Sequence, residues 1–272
     1  MTLRAIATVT GVECAKLRDQ LAPRVVLAVC ALGPFAFVAA MRLQNSTPDD
    51  TLFGRHVTES GFATPLVVLG FATLWVVPAL TAVVAGDLFA SEDRYGTWRA
   101  LLTRSRSRSE IFAGKVATAF CFSALALAVL AASSLVAGVA GIGSQPLVDL
   151  SGMPLAPARA IGRIAAAWAS VLPPAFGITA VAVLLSIVTR SSVAGVGLPV
   201  VAALAMQLSG YLDGADAPRR LLVTYGFGAW HGLLTEPPFY RPIVYGTTVS
   251  IAYLVVCLAV AHRIIVRRDI DA

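Results

Sequence analysis

Long apolar runs alternate with short polar segments along this chain, and six of the runs are close to the length of a membrane span. A helix needs roughly 20 mostly apolar residues to cross the hydrocarbon layer. The runs cover 25–41, 64–86, 116–140, 161–188, 193–212 and 243–261. This pattern predicts an all-α integral membrane protein with six transmembrane helices.

Prolines interrupt three of the predicted spans. Pro173 and Pro174 are adjacent inside the long fourth run, whereas Pro78 and Pro199 lie in the second and fifth runs. Proline removes a backbone donor, and its ring clashes with the preceding helical turn. We therefore expect a kink or a break in the fourth helix and milder bends in the other two.

An amphipathic segment precedes the first span. Within residues 1–24, apolar residues recur at intervals of three and four, interrupted by charged residues such as Arg4, Glu13 and Lys16. A helix with one apolar stripe and one charged face lies in the interface between lipid and water. The pattern predicts an elbow helix in the inner headgroup layer.

The loop 213–242, between the fifth and sixth spans, is also rich in apolar residues. Its segment 218–234 carries Arg219, Arg220 and His231, and a seventh span here would move the last three arginines outside. The positive-inside rule opposes that placement. The loop is predicted to be extracytoplasmic, with either a re-entrant or an interfacial helix.

Composition and charge agree with a membrane protein. The chain has 272 residues, of which 57% are hydrophobic and 13% charged, whereas a soluble domain is about 25% charged. With six spans and both termini cytoplasmic, fourteen lysines and arginines lie inside and seven outside. This bias predicts cytoplasmic termini, and it explains the net charge of +6 by anionic lipid headgroups rather than by nucleic acid.

Motifs for catalysis or cofactor binding are absent from the sequence. It contains no phosphate-binding loop and no HExxH, GxSxG or CxxC pattern, and its cysteines and histidines are scattered. We therefore expect a protein that is not an enzyme and that needs no metal or cofactor. Gln207 is the clearest polar side chain inside a span. It indicates either a hydrogen bond between helices or a contact on a substrate path.

The insert 87–115, between the second and third spans, concentrates charge and aromatic residues. Acidic residues precede a short helical stretch, where the helix dipole favours anions. An apolar stripe at helical spacing comprises Tyr95, Trp98, Leu101 and Leu102. One interpretation is a positive-inside loop with an interfacial helix. The other is a coupling helix that docks this stripe on an ATPase subunit.

The insert resembles that of the membrane subunits of type-2 ABC exporters. Those proteins carry Glu-x-x-x-Gly-Thr, then Leu-Leu, then an arginine, and a lysine that opens the third span. The matching residues here are Glu92, Gly96, Thr97, Leu101, Leu102, Arg108 and Lys115. The sequence Glu13-x-x-Lys16-Leu17 is similar to the elbow of the family. A run of arginine and serine at 104–109 stands where many members have a proline.

The resemblance implies a single transmembrane permease domain, 1–272, that forms the substrate pathway of an ATP-driven exporter in a bacterial cytoplasmic membrane. Its partners would be two ATPase subunits, which hydrolyse ATP, and a second permease copy or a paralogue. The residues implied to couple to the ATPase are Glu92, Tyr95, Gly96, Thr97, Trp98, Leu101, Leu102 and Arg108. The alternative is a self-contained polytopic membrane protein, such as an embedded enzyme or a scaffold. The sequence does not indicate the substrate.

Overall fold

The computed structural model describes residues 2–44, 53–98, 107–209 and 216–268, and most of these residues are helical. In chain order the helices are α1 (Leu3–Asp19), α2 (Leu21–Gln44), α3 (Thr64–Phe71), α4 (Val77–Asp87), α5 (Ala90–Tyr95), α6 (Arg108–Gly141), α7 (Pro157–Thr189), α8 (Ser192–Leu208), α9 (Asp216–Arg219) and α10 (Arg241–Arg267). The predicted all-α class is confirmed.

Shorter elements connect these helices. They are a π-helical turn (Ala72–Val76) between α3 and α4 and 3-10 segments at Gly54–His56, Gly61–Ala63 and Val223–Leu234. A small hairpin, which the sequence pattern did not predict, pairs β1 (Leu147–Val148) antiparallel with β2 (Pro154–Leu155).

Five helical stretches are long and apolar enough to cross a membrane. They are Leu21–Leu43, Gly61–Tyr95, Arg108–Gly141, Pro157–Thr189 and Arg241–Arg267. Each one overlaps a predicted span. The remaining predicted span, 193–212, corresponds to the 17-residue apolar helix α8. Residues 210–215 lie outside the described part of the chain, so the six-span count stays a prediction.

Of the kink or break predicted at Pro173 and Pro174, the break does not occur, because α7 runs through both residues without interruption; the kink stays a prediction. Pro174 is buried, and Gly226 of the Val223–Leu234 segment lies against its ring: a Cβ added at Gly226 would be 3.3 Å from Pro174 Cβ and Cγ. Packing on neighbouring elements lets a membrane helix tolerate proline. The surrounding contacts therefore outweigh the local preference to break.

The second span does change its helical register, immediately before Pro78. The π-helical turn Ala72–Val76 ends where Val77 and Pro78 begin α4. Proline cannot donate the backbone hydrogen bond that residue 74 would accept in an α-helix, or residue 73 in a π-helix. The missing N–H of Pro78 consequently leaves one of these two carbonyls, that of Thr73 or that of Leu74, without its usual donor.

Small residues let several helices approach closely near the insert. A Cβ added at Gly86 of α4 would lie 2.4 Å from the carbonyl carbon of Gly195 in α8. A Cβ added at Gly114 of α6 would lie 2.5 Å from Val9 Cγ1 in α1. Helix α1 therefore lies against the start of α6, while α4 lies against the start of α8.

Candidate functional site

Four charged side chains from three helices converge where the insert meets the membrane helices. Glu13 and Lys16 belong to α1, Glu92 to α5 and Lys115 to α6. Lys115 Nζ lies 2.9 Å from Glu92 Oε1 and 3.1 Å from Glu13 Oε2. Lys16 Nζ lies 3.0 Å from Glu13 Oε1 and 3.1 Å from Glu92 Oε1. Each lysine thus contacts both carboxylates, and we call these four residues the charge cluster.

Most of the charge cluster is withdrawn from water. The side chain of Lys115 is 1% exposed and that of Glu92 is 8% exposed, whereas that of Lys16 is 41% exposed. Buried ions lose hydration, which only close partners can offset. Lys115 also donates to the carbonyl of Leu88, at 3.1 Å, directly after α4. Lys115 thus donates two hydrogen bonds, to Glu92 and Leu88, and forms an ion pair with Glu13.

The pattern Glu-x-x-x-Gly-Thr has a direct structural explanation here. Helix α5 ends at Tyr95, and Gly96 takes the left-handed conformation (φ 64°) that glycine adopts readily. The N–H of Thr97 then donates to the carbonyl of Glu92 at 3.1 Å. The same turn brings the Thr97 hydroxyl onto the Glu92 carboxylate, to which it donates. Glycine and threonine at this spacing hold the glutamate in the charge cluster.

A second ionic contact joins the insert to the end of α10. The Asp93 carboxylate accepts from the indole Nε1 of Trp98 at 3.0 Å and from both Nη atoms of Arg268. Arg108 donates from Nη1 to the carbonyl of Val266 at 3.1 Å, and also to that of Arg268. The insert therefore contacts α1, α6 and the end of α10 through hydrogen bonds or ion pairs.

The predicted stripe is not one exposed helical face. Tyr95 is 70% exposed, but Trp98 is 8% exposed and stacks on Phe89 with ring centroids 6.4 Å apart. The left-handed turn at Gly96 separates the two aromatic residues and sends Trp98 inward. Leu101 and Leu102 lie outside the described residues. Tyr95 is thus the exposed aromatic that the structure describes in this insert.

The sequence pattern identified Glu92, Gly96, Thr97 and Lys115 but not the contacts between them. The signal that could have revealed these contacts is Lys115 itself, which follows Gly114 at the edge of an apolar run. An ionisable residue at membrane depth needs a partner. That requirement points to the nearest candidate carboxylates but does not select Glu13, which lies about a hundred residues away.

The pKa of Lys16 lies above its ordinary value of 10.5. Burial lowers it, but hydrogen bonds and charge attraction from Glu13 and Glu92 raise it by more. The net pKa lies above 10.5, so Lys16 remains an ammonium ion at physiological pH. A cavity of about 510 Å³ opens beside it, lined in part by Asp87, Tyr95 and Ser192.

Gln207 lies far from the charge cluster and contacts the second span. Its Nε2 donates to the carbonyl of Thr73 at 2.7 Å and also to that of Leu74. These are the two carbonyls that an N–H at residue 78 could reach, Leu74 in an α-helix or Thr73 in a π-helix. The side chain also lines a cavity of about 440 Å³. A contact with substrate at this residue stays a prediction.

Among the described residues, no group of three or more histidine, cysteine, aspartate or glutamate side chains could hold a metal ion.

The family comparison matches the chain over residues 11–206 to the model described as "ABC-2 family transporter protein". The chain belongs to this ABC-2 transporter family. The matched range contains all four residues of the charge cluster. A search of curated proteins finds no match.

Membership in the ABC-2 family gives the chain its broad role. It is a multi-pass membrane protein and a permease component of an ABC transporter. Permeases of this family are transport components rather than catalysts, and the family as a whole works with ATPase subunits.

Proposed function

We propose that this permease forms the substrate pathway of an ATP-driven exporter, and that the charge cluster carries movement from the insert 87–115 to α1 and α6. The observation that supports this most strongly is Lys115. Its single ammonium group contacts Glu13 of α1, Glu92 of α5 and the carbonyl of Leu88 after α4. A displacement of α5 therefore acts on the other elements through short polar contacts.

The mechanism follows from the cost of separating these groups. Removing one partner from a buried ion pair costs about 3–5 kcal/mol, because the other charge is left without compensation. The inner ends of α1, α5 and α6 would thus move together when an ATPase subunit displaces the insert. Close contact between Gly86 and Gly195 extends the movement to α8. The pair of Asp93 and Arg268 extends it to α10.

The proposed assembly contains two ATPase subunits and two permeases, the second being another copy or a paralogue. It lies in a bacterial cytoplasmic membrane with both termini inside, which the excess of inner lysine and arginine supports. The loop 213–242 would then lie outside and help to close the exit. The family match favours this assembly over a self-contained membrane enzyme or scaffold.

Cysteine labelling tests the orientation. Single cysteines at Ser105 and Thr47 should react from opposite sides of the membrane, with Ser105 reached only from the cytoplasm. Intact cells would be treated with an impermeant maleimide, and inverted vesicles would serve as the reciprocal sample. Labelling of both positions in intact cells would contradict the six-span arrangement.

Docking on the ATPase is tested at the exposed aromatic residue. A well-packed side chain of this size contributes roughly 1.5–3 kcal/mol when it is buried, and such anchors dominate an interface. Tyr95→Ala, alone or with Leu102→Ala, should weaken copurification of a Walker-motif ATPase about tenfold or more. Tyr95→Phe is the matched control and should keep the partner. Unchanged copurification of the ATPase with Tyr95→Ala and with the double variant Tyr95→Ala, Leu102→Ala would contradict docking through this segment.

Transmission is tested separately from docking. Glu92→Gln keeps the shape of the side chain and an acceptor for Thr97 but removes the charge that attracts both lysines. We expect the variant complex to bind ATP and its ATPase normally, yet to lose the ATP-dependent change in cysteine accessibility at the outer loop. A normal ATP-dependent response in Glu92→Gln would contradict transmission through the cluster.

A further inference from the structure

Four arginines surround an open cleft at the ends of α7 and α10, beside Asp93. They are Arg190, Arg263, Arg267 and Arg268, and the cleft measures about 470 Å³. Two helices that are distant in sequence thus place their cations around one space.

Most of this positive charge is not neutralised by the residues that the structure describes. Arg268 pairs with Asp93, but no carboxylate of the described residues pairs with the other three arginines. Arg263 and Arg267 are separated by four residues on one helix, a spacing at which like charges repel. Some other cations of the described chain pair with a carboxylate, as Arg163 does with Glu236, whereas exposed ones such as Arg159 and Arg241 do not. An anion in the cleft would relieve the repulsion.

Arg190 provides a second, independent observation. It follows the last residue of α7 in the left-handed conformation, with φ 54°, and is the one non-glycine residue of the described chain with positive φ. Glycine or asparagine takes this conformation at lower cost than arginine. A strained residue is retained where its side chain has a use. The use indicated here is its charge, which faces the cleft.

The wall of the cleft is apolar. Ile187, Val188 and Ile264 line it between the arginines, and Val188 is 54% exposed. A free inorganic anion would gain nothing from such a wall. An amphiphile with an anionic head and a hydrocarbon tail would use both the cations and the apolar surface. Basic pockets between membrane helices bind the headgroups of anionic lipids in this way.

We propose that this cleft binds the phosphate headgroup of an anionic phospholipid, with an acyl chain along the apolar wall. The site lies in the inner leaflet if the orientation proposed above holds, but binding itself depends on neither that orientation nor an ATPase partner. Because Arg268 contributes to both the cleft and the pair with Asp93, the bound lipid lies next to the insert.

The test uses the purified full-length chain in a neutral detergent. Phosphatidylglycerol, phosphatidylcholine and inorganic phosphate are added separately, and retained lipid is counted by native mass spectrometry beside the thermal unfolding midpoint. Phosphatidylglycerol should be retained and should raise the midpoint, whereas phosphatidylcholine and phosphate should not. Equal stabilisation by inorganic phosphate or by phosphatidylcholine would overturn the proposal.

Variants locate the site. Each arginine near a bound anionic headgroup contributes about fivefold in affinity, so Arg263→Gln with Arg267→Gln should bind phosphatidylglycerol about 25-fold more weakly. Arg159→Gln and Arg241→Gln together are the charge-matched control, because both exposed residues lie at the opposite ends of the same two helices. An equal loss of affinity in the control would mean general attraction to charge and would overturn the assignment.

Arg190→Asn separates binding from folding. Relief of the left-handed strain should leave its midpoint without lipid equal to or above that of the wild type. Its affinity for phosphatidylglycerol should nevertheless fall about fivefold. Unchanged affinity in this variant would exclude Arg190 and the cleft as proposed. Since no ATPase is present in these measurements, their failure would leave the proposed coupling function standing.

Discussion

The charge cluster and the π-helical turn of the second span are both bridged by side chains from another helix, but with different chemistry. In the charge cluster, two lysines and two glutamates neutralise each other across three helices. At the π-helical turn, the neutral amide of Gln207 supplies the donor that Pro78 lacks. In the charge cluster, ion pairs connect separate helices. At the π-helical turn, a neutral side-chain hydrogen bond replaces a backbone hydrogen bond that Pro78 cannot form.

This difference sets how much each region can move. Separating buried ions costs several kcal/mol, whereas a neutral hydrogen bond contributes about 0.5–1.5 kcal/mol net. The charge cluster should therefore resist displacement more strongly than the π-helical turn does. The π-helical turn combines a register change, a missing backbone bond and a replaceable side-chain donor. We expect a bend in the second span to cost least at this turn.

Loss of Lys115 should have the largest effect. Lys115→Met leaves Glu13 and Glu92 in buried surroundings with only the half-exposed Lys16 as a counter-ion. We expect the free energy of unfolding to fall by about 3–5 kcal/mol. Tryptophan fluorescence during denaturant unfolding in detergent measures this loss. A change below about 1 kcal/mol would mean that the cluster is solvated and not a rigid joint.

An apolar replacement of the whole cluster sharpens that result. Buried ionic networks can often be exchanged for hydrophobic residues without loss of stability. Glu13→Leu, Glu92→Leu and Lys115→Met, combined with Lys16→Gln, should therefore recover most of the stability that Lys115→Met alone loses. Recovery of stability without recovery of the ATP-dependent response would assign the charges to coupling rather than to folding.

Removal of the Gln207 donor should have an intermediate effect. Gln207→Leu leaves the carbonyls of Thr73 and Leu74 without a donor, at a cost of about 1–3 kcal/mol. Pro78→Ala restores one backbone N–H, so the same Gln207 substitution should cost less in that background. A double-mutant cycle on unfolding free energies measures this coupling. Additive losses would show that Gln207 does not act through the bond that Pro78 lacks.

In both regions, the sequence predicted the local features but not the contacts between distant helices. Apolar runs predicted the membrane helices because burial in lipid depends mainly on local composition. The family pattern predicted Glu92, Gly96 and Thr97 because one tight turn connects them. The pairing of Lys115 with Glu13 depends on how α1 packs against α6, which no local pattern specifies. The same holds for Gln207 and Pro78, since the donor comes from a helix more than a hundred residues away.

The prolines also show that a local sequence pattern does not determine the geometry of a packed helix. Pro173 and Pro174 predict a kink or a break, yet α7 runs through both residues without a break. Pro78 predicts only a mild bend, yet the helix before it changes to π spacing. The intrinsic chemistry of proline is the same in both places. The neighbouring helices decide whether the freed carbonyls are tolerated, and neighbours are not visible in a local window.

The smallest effect should come from Lys16, whose exposed ammonium is the least buried charge of the cluster. Lys16→Gln should lower the free energy of unfolding by no more than about 1 kcal/mol at neutral pH, because water screens exposed pairs. Its folded pKa lies above 10.5, against the opposing effect of burial, because Glu13 and Glu92 favour the charged form. A raised folded pKa stabilises the protein fully below 10.5, and this stabilisation disappears as the pH rises through the folded value. The difference between wild type and Lys16→Gln in denaturant unfolding should therefore shrink above that pH. A difference that stays constant into the alkaline range would mean that Lys16 acts by packing along its aliphatic stem and not by its charge.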